Sequence, residues 1–498
     1  MDSEKQYIEL YEQTRDMLCQ HSAPVLNTLR EQAFEDFCRL GFPTQKVERY
    51  KYTNVAEAFA PNYGLNINRL DIPVNPYEVF KCDVPNLSTS LYFMVNDQFY
   101  GKLPPLPRGG GKMGENSSNE AQASVGMSSN DAPSLSLSGD GGAFVGSLKE
   151  AAEKHPELIN QYYGRLATPA YFDAPAFERS EVLPLGEAEK GADPLTALNT
   201  MLCQDGLFVY VPKGVVVERP VQIVNVLRSD VDLMVNRRVL IVLEEGASIK
   251  LLFCDHAIDD RNFLTTQVIE TFVGENAHLE MYELEETHVK NNRFSNLYCD
   301  QQRYSTAVLD NITLHNGLTR NRTDLTLSGE YAECTLNGLV IADKEQRVDN
   351  NTLIDHKAAK CQSNQLYKYV LDDKAQCAFA GRILVREGAQ QTVSQETNAN
   401  LVGSKEARIY TQPMLEIYAD DVKCSHGSTV GQLGEQAMFY MRQRGIPYDE
   451  ARMLLKFAFA SDVLKTIQLE ALRDRLSYLV DKRFRGELSK CEGCKMCK

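Results

Sequence analysis

The spacing of hydrophobic and polar residues changes twice along the chain. Up to about residue 60, apolar residues recur at helical spacing in "YIELYEQTRDML" and "VLNTLREQAFEDFCRL". From about 205 to 430, short β-type runs such as "LFVYV", "VQIVNVL" and "HLEMYEL" follow one another with no helical stretch of similar length. Helical spacing returns after 430, in "GEQAMFYMRQRG" and "PYDEARMLLKFAF". The pattern predicts an all-β middle between two helical regions.

The turns between the β runs resemble one another. A glycine with an alanine one to three residues later begins at Gly246, Gly274, Gly329 and Gly388, and subtraction gives intervals of 28, 55 and 59 residues. These intervals are near one and two multiples of a common period, which is typical of a stacked β-solenoid. A β-sandwich stays open at this point, because the sequence identity between the coils is slight.

The same patterns divide the chain into segments. We predict an N-terminal helical domain, a low-complexity loop, the remainder of the N-terminal domain with a linker, a β-helix core, a C-terminal helical domain and a Cys-rich tail, at 1–107, 108–143, 144–204, 205–432, 433–486 and 487–498. The loop is rich in Gly, Ser and Asn, so we expect it to be mobile. Its "GGGK" lacks the first glycine of a phosphate-binding loop, because Leu106 stands there, and Met113 follows the lysine.

Composition limits the class of protein. No run approaches the roughly 18 apolar residues of a membrane span, and the first residues lack the basic and apolar regions of a secretion signal. The 13 cysteines are scattered through 498 residues, as expected of reduced thiols in a cytoplasmic protein. A formal net charge of -15 argues against general affinity for nucleic acid or anionic lipid, so a protein partner or a metal is the better expectation.

The stretch "IYADDVKCSHGSTV" carries the first candidate chemistry. In an extended strand, Cys424 and His426 point to the same face, which suits metal binding or nucleophilic catalysis. The residues alone leave open a purely structural thiol beside a hydrogen-bonded histidine. A Cys–His hydrolase fits poorly, because its histidine usually comes from far away in the chain. A β-helix carbohydrate enzyme fits poorly as well, because the adjacent Asp420 and Asp421 point to opposite faces.

Two further groups have both a functional and a structural interpretation. Cys491, Cys494 and Cys497 have a spacing that lets their thiolates reach one metal, but a fourth ligand is absent and a reactive thiol tail is the alternative. A dense polar block is predicted to form a ladder inside the solenoid rather than a site. Its members are Asp349, His356, Cys361, Gln365 and Lys368.

Four long blocks carry a family resemblance. They begin with "QRVDNNTLIDHKAAK", "FAGRILVREGAQQTV", "PMLEIYADDVKCSHG" and "FYMRQRGIPYDEARM", and "GFPTQKVERYKYTN" adds an N-terminal echo. The chain resembles the SufB/SufD family of iron–sulfur cluster assembly proteins. The resemblance implies a mainly β fold in which a right-handed parallel β-helix is flanked by N-terminal and C-terminal helical domains.

The resemblance also implies partners. A SufD-type subunit pairs with a SufB-like paralogue, and each of the two binds one SufC-like ATPase through its C-terminal helices. Here we expect Arg444, Met453, Leu454 and Phe457 to contact the ATPase, although the apolar stripe could instead pack within the chain. A homodimer is a further expectation for the isolated chain, and reduced flavin is a further ligand that the resemblance allows for the complex. Nucleic acid and membranes are not expected partners.

By the same resemblance, Cys424 and His426 are the residues that this subunit contributes to a transient iron–sulfur cluster, or iron, at the interface between subunits. Thiolate and neutral imidazole suit iron. SufB is expected to have a glutamate after the histidine and an essential cysteine upstream, whereas this chain has Gly427 and Ala407. We therefore predict the SufD half, a scaffold that is not an enzyme and does not build a cluster alone.

Overall fold

The fold is a parallel β-solenoid with helices at both ends of the chain. A computed structural model describes residues 3–79, 89–101, 142–167 and 193–486. The N-terminal helices are α1 (Ser3–Gln20), α2 (Pro24–Asn27), α3 (Arg30–Leu40), α4 (Val55–Phe59), α5 (Pro76–Val79), α6 (Leu148–Lys154), α7 (Pro156–Tyr162) and α8 (Pro194–Leu202), with a short 3-10 helix at Glu48–Tyr50. The C-terminal helices are α9 (Glu435–Gln443), α10 (Tyr448–Leu464) and α11 (Glu470–Phe484).

The strands form two facing sheets. They are β1 (Ser90–Val95), β2 (Gln98–Phe99), β3 (Phe144–Ser147), β4 (Leu207–Val211), β5 (Val221–Leu227), β6 (Leu233–Leu243), β7 (Ser248–Ala257), β8 (Phe263–Val273), β9 (His278–Glu286), β10 (Asn291–Gln301), β11 (Thr306–His315), β12 (Leu318–Leu327), β13 (Glu333–Ala342), β14 (Arg347–His356), β15 (Gln362–Leu371), β16 (Gln376–Val385), β17 (Thr392–Val402), β18 (Arg408–Ile417) and β19 (Val422–Gly431). Within the described residues, the odd-numbered strands from β5 to β19 lie in one sheet and the even-numbered strands from β4 to β18 in the other. About eight turns of solenoid result, between 207 and 431.

The space between the two sheets is the main hydrophobic core. Alternate residues of each strand point into it, as in the row formed by Val239, Ile269 and Leu297. Three of the four alanines in the repeated turns, Ala247, Ala277 and Ala332, are buried in the same core. The predicted parallel solenoid with flanking helices is therefore confirmed, and the Gly-Ala turns are a true signature of its coils.

The N-terminal region also contributes strands, which the hydrophobic pattern did not indicate. Strand β1 pairs in parallel with β5 and so extends one sheet of the solenoid. Strand β3 pairs antiparallel with β4 and closes the other sheet. The segments on either side of the low-complexity stretch thus cover the first edge of the solenoid, because an edge strand needs a partner for its backbone groups. The stretch itself falls almost wholly outside the described residues.

The segment after α3 holds the N-terminal helices against the solenoid wall. The Tyr50 hydroxyl donates to Asp193 Oδ2 over 2.5 Å, and the Arg320 guanidinium lies 3.8 Å from the centre of the Tyr50 ring. Two residues later, Tyr52 stacks on Tyr410 of β18 with the ring centres 4.8 Å apart. This segment therefore supports the last coil from outside.

The C-terminal helices pack on the outer face of the odd-numbered sheet. Leu464 and Leu476 from the helices share a buried cluster with Leu284 and Leu339 from the strands.

None of the helices in the described ranges is long and apolar enough to cross a membrane.

Candidate functional site

The candidate site lies on the last coil of the solenoid. Strands β18 and β19 end the two sheets, so within the described residues each has a strand neighbour on one side only. Strand β19 pairs in parallel with β17, which places Cys424 beside Ser394 and His426 beside Glu396. Because paired residues of parallel strands point to the same face, the positions of β17 decide the direction of the β19 side chains.

Cys424 and His426 both point toward the inner side of the coil. Cys424 belongs to an apolar cluster with Ile383 and Val385 of the coil below. Two residues beyond the histidine, the Ser428 hydroxyl lies 2.7 Å from the Thr411 hydroxyl of the facing strand β18. The thiol and the imidazole thus occupy successive inward-facing positions of β19, at the open end of the solenoid interior.

The two side chains differ in exposure. Cys424 is a half-buried free thiol, whereas His426 is exposed. Burial raises the pKa of the Cys424 thiol, and a hydrogen bond with the Ser394 backbone opposes part of that rise. The thiol is therefore protonated near neutral pH and must lose its proton to bind a metal.

A third residue, which the sequence interpretation missed, lies directly below His426. Glu396 is only 1% exposed, and neither carboxylate oxygen has a hydrogen-bond partner within the described chain. Its carboxyl group crosses the interior to Gly381 of β16, where an added Cβ would lie 2.2 Å from Glu396 Oε1. Burial raises the pKa of Glu396 to about 8. A lone charged residue at an inward position was the available signal, but "VSQETNAN" is mostly polar and does not indicate by itself which face is buried.

No neighbour of Glu396 among the described residues compensates for the burial of its carboxyl group. This burial predicts how the stability of the fold depends on pH. His426 lies above it, Gln365 below, and Gly381 and Phe379 across the interior. The pKa of Glu396 is raised, so the folded state keeps a proton that the unfolded chain has released above about pH 4.5. The free energy of unfolding should therefore fall as the pH rises toward 8, by about 1.4 kcal/mol per pH unit from this group.

We expect Glu396→Gln to remove that contribution, because glutamine has no proton to release. The stability advantage of the variant over the wild-type chain should grow between roughly pH 5 and pH 8 and vanish at lower pH. Urea unfolding of both proteins across this range measures the difference. A difference that is constant with pH would contradict a buried, protonated Glu396.

The expected ATPase contacts lie on the C-terminal helices. Met453 is 8% exposed and belongs to the protein's own interior, and Phe457 packs on the helix–sheet cluster. Leu454 is 39% exposed, and Arg444 lies with its guanidinium 5.1 Å from the ring centre of Tyr440. Among Met453, Leu454 and Phe457, Leu454 is thus the most exposed to solvent.

Exposed aromatic side chains lie on α9 and at the start of α10. Phe439 is 64% exposed, and Tyr440 and Tyr448 are also exposed. Phe439 and Tyr448 line a groove of about 840 Å³ between α9, α10 and the end of the solenoid, together with Arg442 and Arg452. Exposed aromatic and arginine side chains in one patch are typical of a protein interface.

The predicted interior ladder is correct for some of its residues and wrong for others. His356 and Gln365 point into the solenoid, where the His356 Nε2 and Ser363 hydroxyl lie 2.9 Å apart, and Cys361 joins the central core. Asp349 accepts a hydrogen bond from Thr53 in the N-terminal segment, and Lys368 pairs with Asp462 of α10. These last two side chains point outward and are buried by the flanking helical regions, not by the coil.

The other expectations about ligands remain predictions. Cys491, Cys494 and Cys497 lie outside the described residues. In the part of the chain that the structure describes, no three His, Cys, Asp or Glu side chains converge as a ready metal site. The resemblance names no residue for reduced flavin.

Comparison with known proteins identifies the class. Residues 226–459 match the SufBD core domain of the SUF system of iron–sulfur cluster assembly, and residues 1–109 and 128–223 match the SufBD protein N-terminal region. The core match contains nearly the whole solenoid, including Cys424 and His426. The chain belongs to the SufBD family of iron–sulfur cluster assembly proteins.

Individual members of this family show how similar their sequences are to this chain. A SufBD family iron–sulfur cluster assembly protein of Synechocystis sp. is 31% identical over 347 residues, which are 66% of this chain and 75% of that protein. The iron–sulfur cluster assembly protein SufD of Escherichia coli is 32% identical over 244 residues, or 49% of this chain and 58% of that protein. SufD of Bacillus subtilis is 25% identical over 348 residues, 69% of this chain and 74% of that protein.

Proposed function

We propose that this chain is the SufD-type subunit of an iron–sulfur cluster assembly complex. In this proposal it is a scaffold that pairs with a SufB-type paralogue, binds a SufC-type ATPase, and contributes His426 and Cys424 to a site that the paralogue completes. The observation that carries the proposal is the uncovered last coil. Inward residues of β17 such as Glu396 are fully buried, whereas Val430, at an inward position of β19, is 55% exposed.

The uncovered coil supports a partner of similar fold. The free edges of β18 and β19 present backbone donors and acceptors without strand partners in the described chain, and such edges bind other strands readily. A paralogue with the same pair of sheets offers matching edges. Its docking would cover the inner side of the last coil and bring its own residues to Cys424 and His426.

The chemistry of the pair supports iron or a nascent cluster as the cargo. Cysteine thiolate binds iron–sulfur clusters, and imidazole binds iron. A shell completed by two subunits can release its cargo when they separate or rotate. Work for that movement would come from the ATPase, whose contact we propose on the C-terminal helices, at Leu454 and at the aromatic patch of Phe439, Tyr440 and Tyr448.

Association with the two expected partners tests the proposal. The full chain is mixed with a SufB-type subunit and a SufC-type ATPase from the same organism, and the mass of the complex is measured by light scattering after gel filtration. We expect all three proteins to elute together, and the chain to bind the SufB-type subunit in a ratio of one to one. A chain that remains a monomer or a homodimer in this mixture contradicts the proposal.

A further inference from the structure

Glu396 is a buried acid that the proposed function does not use. A buried carboxyl group without a hydrogen bond or a counter-charge is destabilising, and proteins usually satisfy such groups. Here both oxygens are unpartnered in the described chain, and the side chain is 1% exposed. A leucine or methionine of similar volume would fill the same space at no such cost. The presence of an acid at this position therefore indicates a ligand that is absent from the folded chain alone.

The layers of the solenoid show where that ligand would lie. One coil below Glu396, the side-chain amide of Gln365 donates a hydrogen bond to the Thr352 hydroxyl over 2.7 Å. This hydrogen bond crosses the interior and joins the two sheets at that level. In the layer of Glu396, the facing residue is Gly381, and the carboxyl group of Glu396 occupies the place that a side chain at position 381 would take. In the layer above, the facing residues are Pro413 and His426. The neighbour of Glu396 on the open side of the coil is therefore the exposed His426.

We propose that Glu396 and His426 together bind a single ferrous ion at the open end of the solenoid. This inference rests on the proposed function, and it adds a carboxylate ligand and a mononuclear iron site to it. Imidazole and carboxylate are the ligand types of non-haem ferrous sites, which keep other positions free for water or for a partner. The ion would be held before sulfide arrives, whereas Cys424 is a ligand suited to the sulfur-containing product.

A rotation of one side chain is enough to form this pair of ligands. Neighbouring strands lie about 4.8 Å apart, so the carboxylate of Glu396 reaches the level of His426 when it turns from Gly381 toward the last coil. A glycine at position 381 leaves the carboxylate free to move, because no side chain there holds it. Binding of the dication would release the proton of the carboxyl group and supply the counter-charge that Glu396 lacks among the described residues.

The test measures ferrous ion bound to the full-length chain alone, by anaerobic equilibrium dialysis. The variants are Glu396→Gln and the matched control Glu416→Gln. Glu416 lies on β18 of the last coil but points outward, where it pairs with Arg382 over 2.7 Å. We expect Glu396→Gln to weaken binding of ferrous ion roughly tenfold or more, and Glu416→Gln to leave it unchanged.

Each outcome decides the inference separately from the proposed function. Wild-type affinity in Glu396→Gln overturns the inference, even when the complex with the SufB-type subunit forms normally. Weakened binding in a chain that fails to assemble supports the iron site and contradicts the assembly role. A circular dichroism melt checks that the variant is folded. If it is not, Glu396→Asp is used, and its shorter carboxylate should bind the ion more weakly than the wild type.

Discussion

Replacing His426 by alanine is expected to remove most of the iron and sulfide from the assembled complex while the complex itself persists. The imidazole is exposed at the mouth of the solenoid, and the described residues around it offer no second histidine that could replace it. Loss of a ligand of this kind should lower the iron and sulfide content roughly tenfold or more. The side chain contributes little to the core, so the free energy of unfolding should change by less than about 0.5 kcal/mol.

The measurement is the iron and sulfide content of the reconstituted complex, with its elution volume recorded in parallel. Ser428→Ala is the matched control, because Ser428 is exposed on the same face of β19 as His426 and offers only a hydroxyl group. Cys424→Ala should have a milder effect, since that half-buried residue also packs on Ile383 and Val385. Full cluster content in the His426→Ala complex contradicts its role as a ligand, and loss of the complex shows that the histidine is structural.

The sequence was sufficient for the solenoid because its signals are local. The Gly-Ala turns recur at intervals of one or two coils, and the β-type runs between them are long enough to show individual strands. The pairing of Cys424 with His426 on one face also follows from a local rule, the two-residue period of a strand. The strands of the N-terminal region carry no such repeat, and β1 forms only because β5 offers it an edge.

Features that depend on the stacking of coils could not be predicted. The polar block around 349–368 was assigned to the interior as a whole, but a strand points alternate residues to opposite sides. Asp349 and Lys368 consequently face outward, toward Thr53 and Asp462 of the helical regions. Glu396 was missed for a related reason. Which residue lies below His426 is set by the number of residues in one coil, and a shift of one residue would have turned Glu396 to the outside.

The second large effect is expected at the ATPase contact, where Leu454→Asp should weaken binding of the SufC-type ATPase about 100-fold, or about 2.7 kcal/mol. A carboxylate placed in the centre of a desolvated interface is left without a partner, which is costly. Leu454 is suited to the test because it is 39% exposed, whereas an aspartate at Phe457 would disturb the cluster between helix and sheet.

The affinity of the purified ATPase for the full chain is measured by calorimetry, with Val289→Asp as the control. Val289 is an exposed valine in the turn between β9 and β10, outside the aromatic patch, so the same change of an apolar residue to aspartate should have no effect there. Both variants should melt near the wild-type temperature, since neither side chain is buried. Undiminished affinity in Leu454→Asp would place the ATPase elsewhere on the chain. Equal losses in both variants would mean that added negative charge, on a chain already at -15, weakens association without a specific contact.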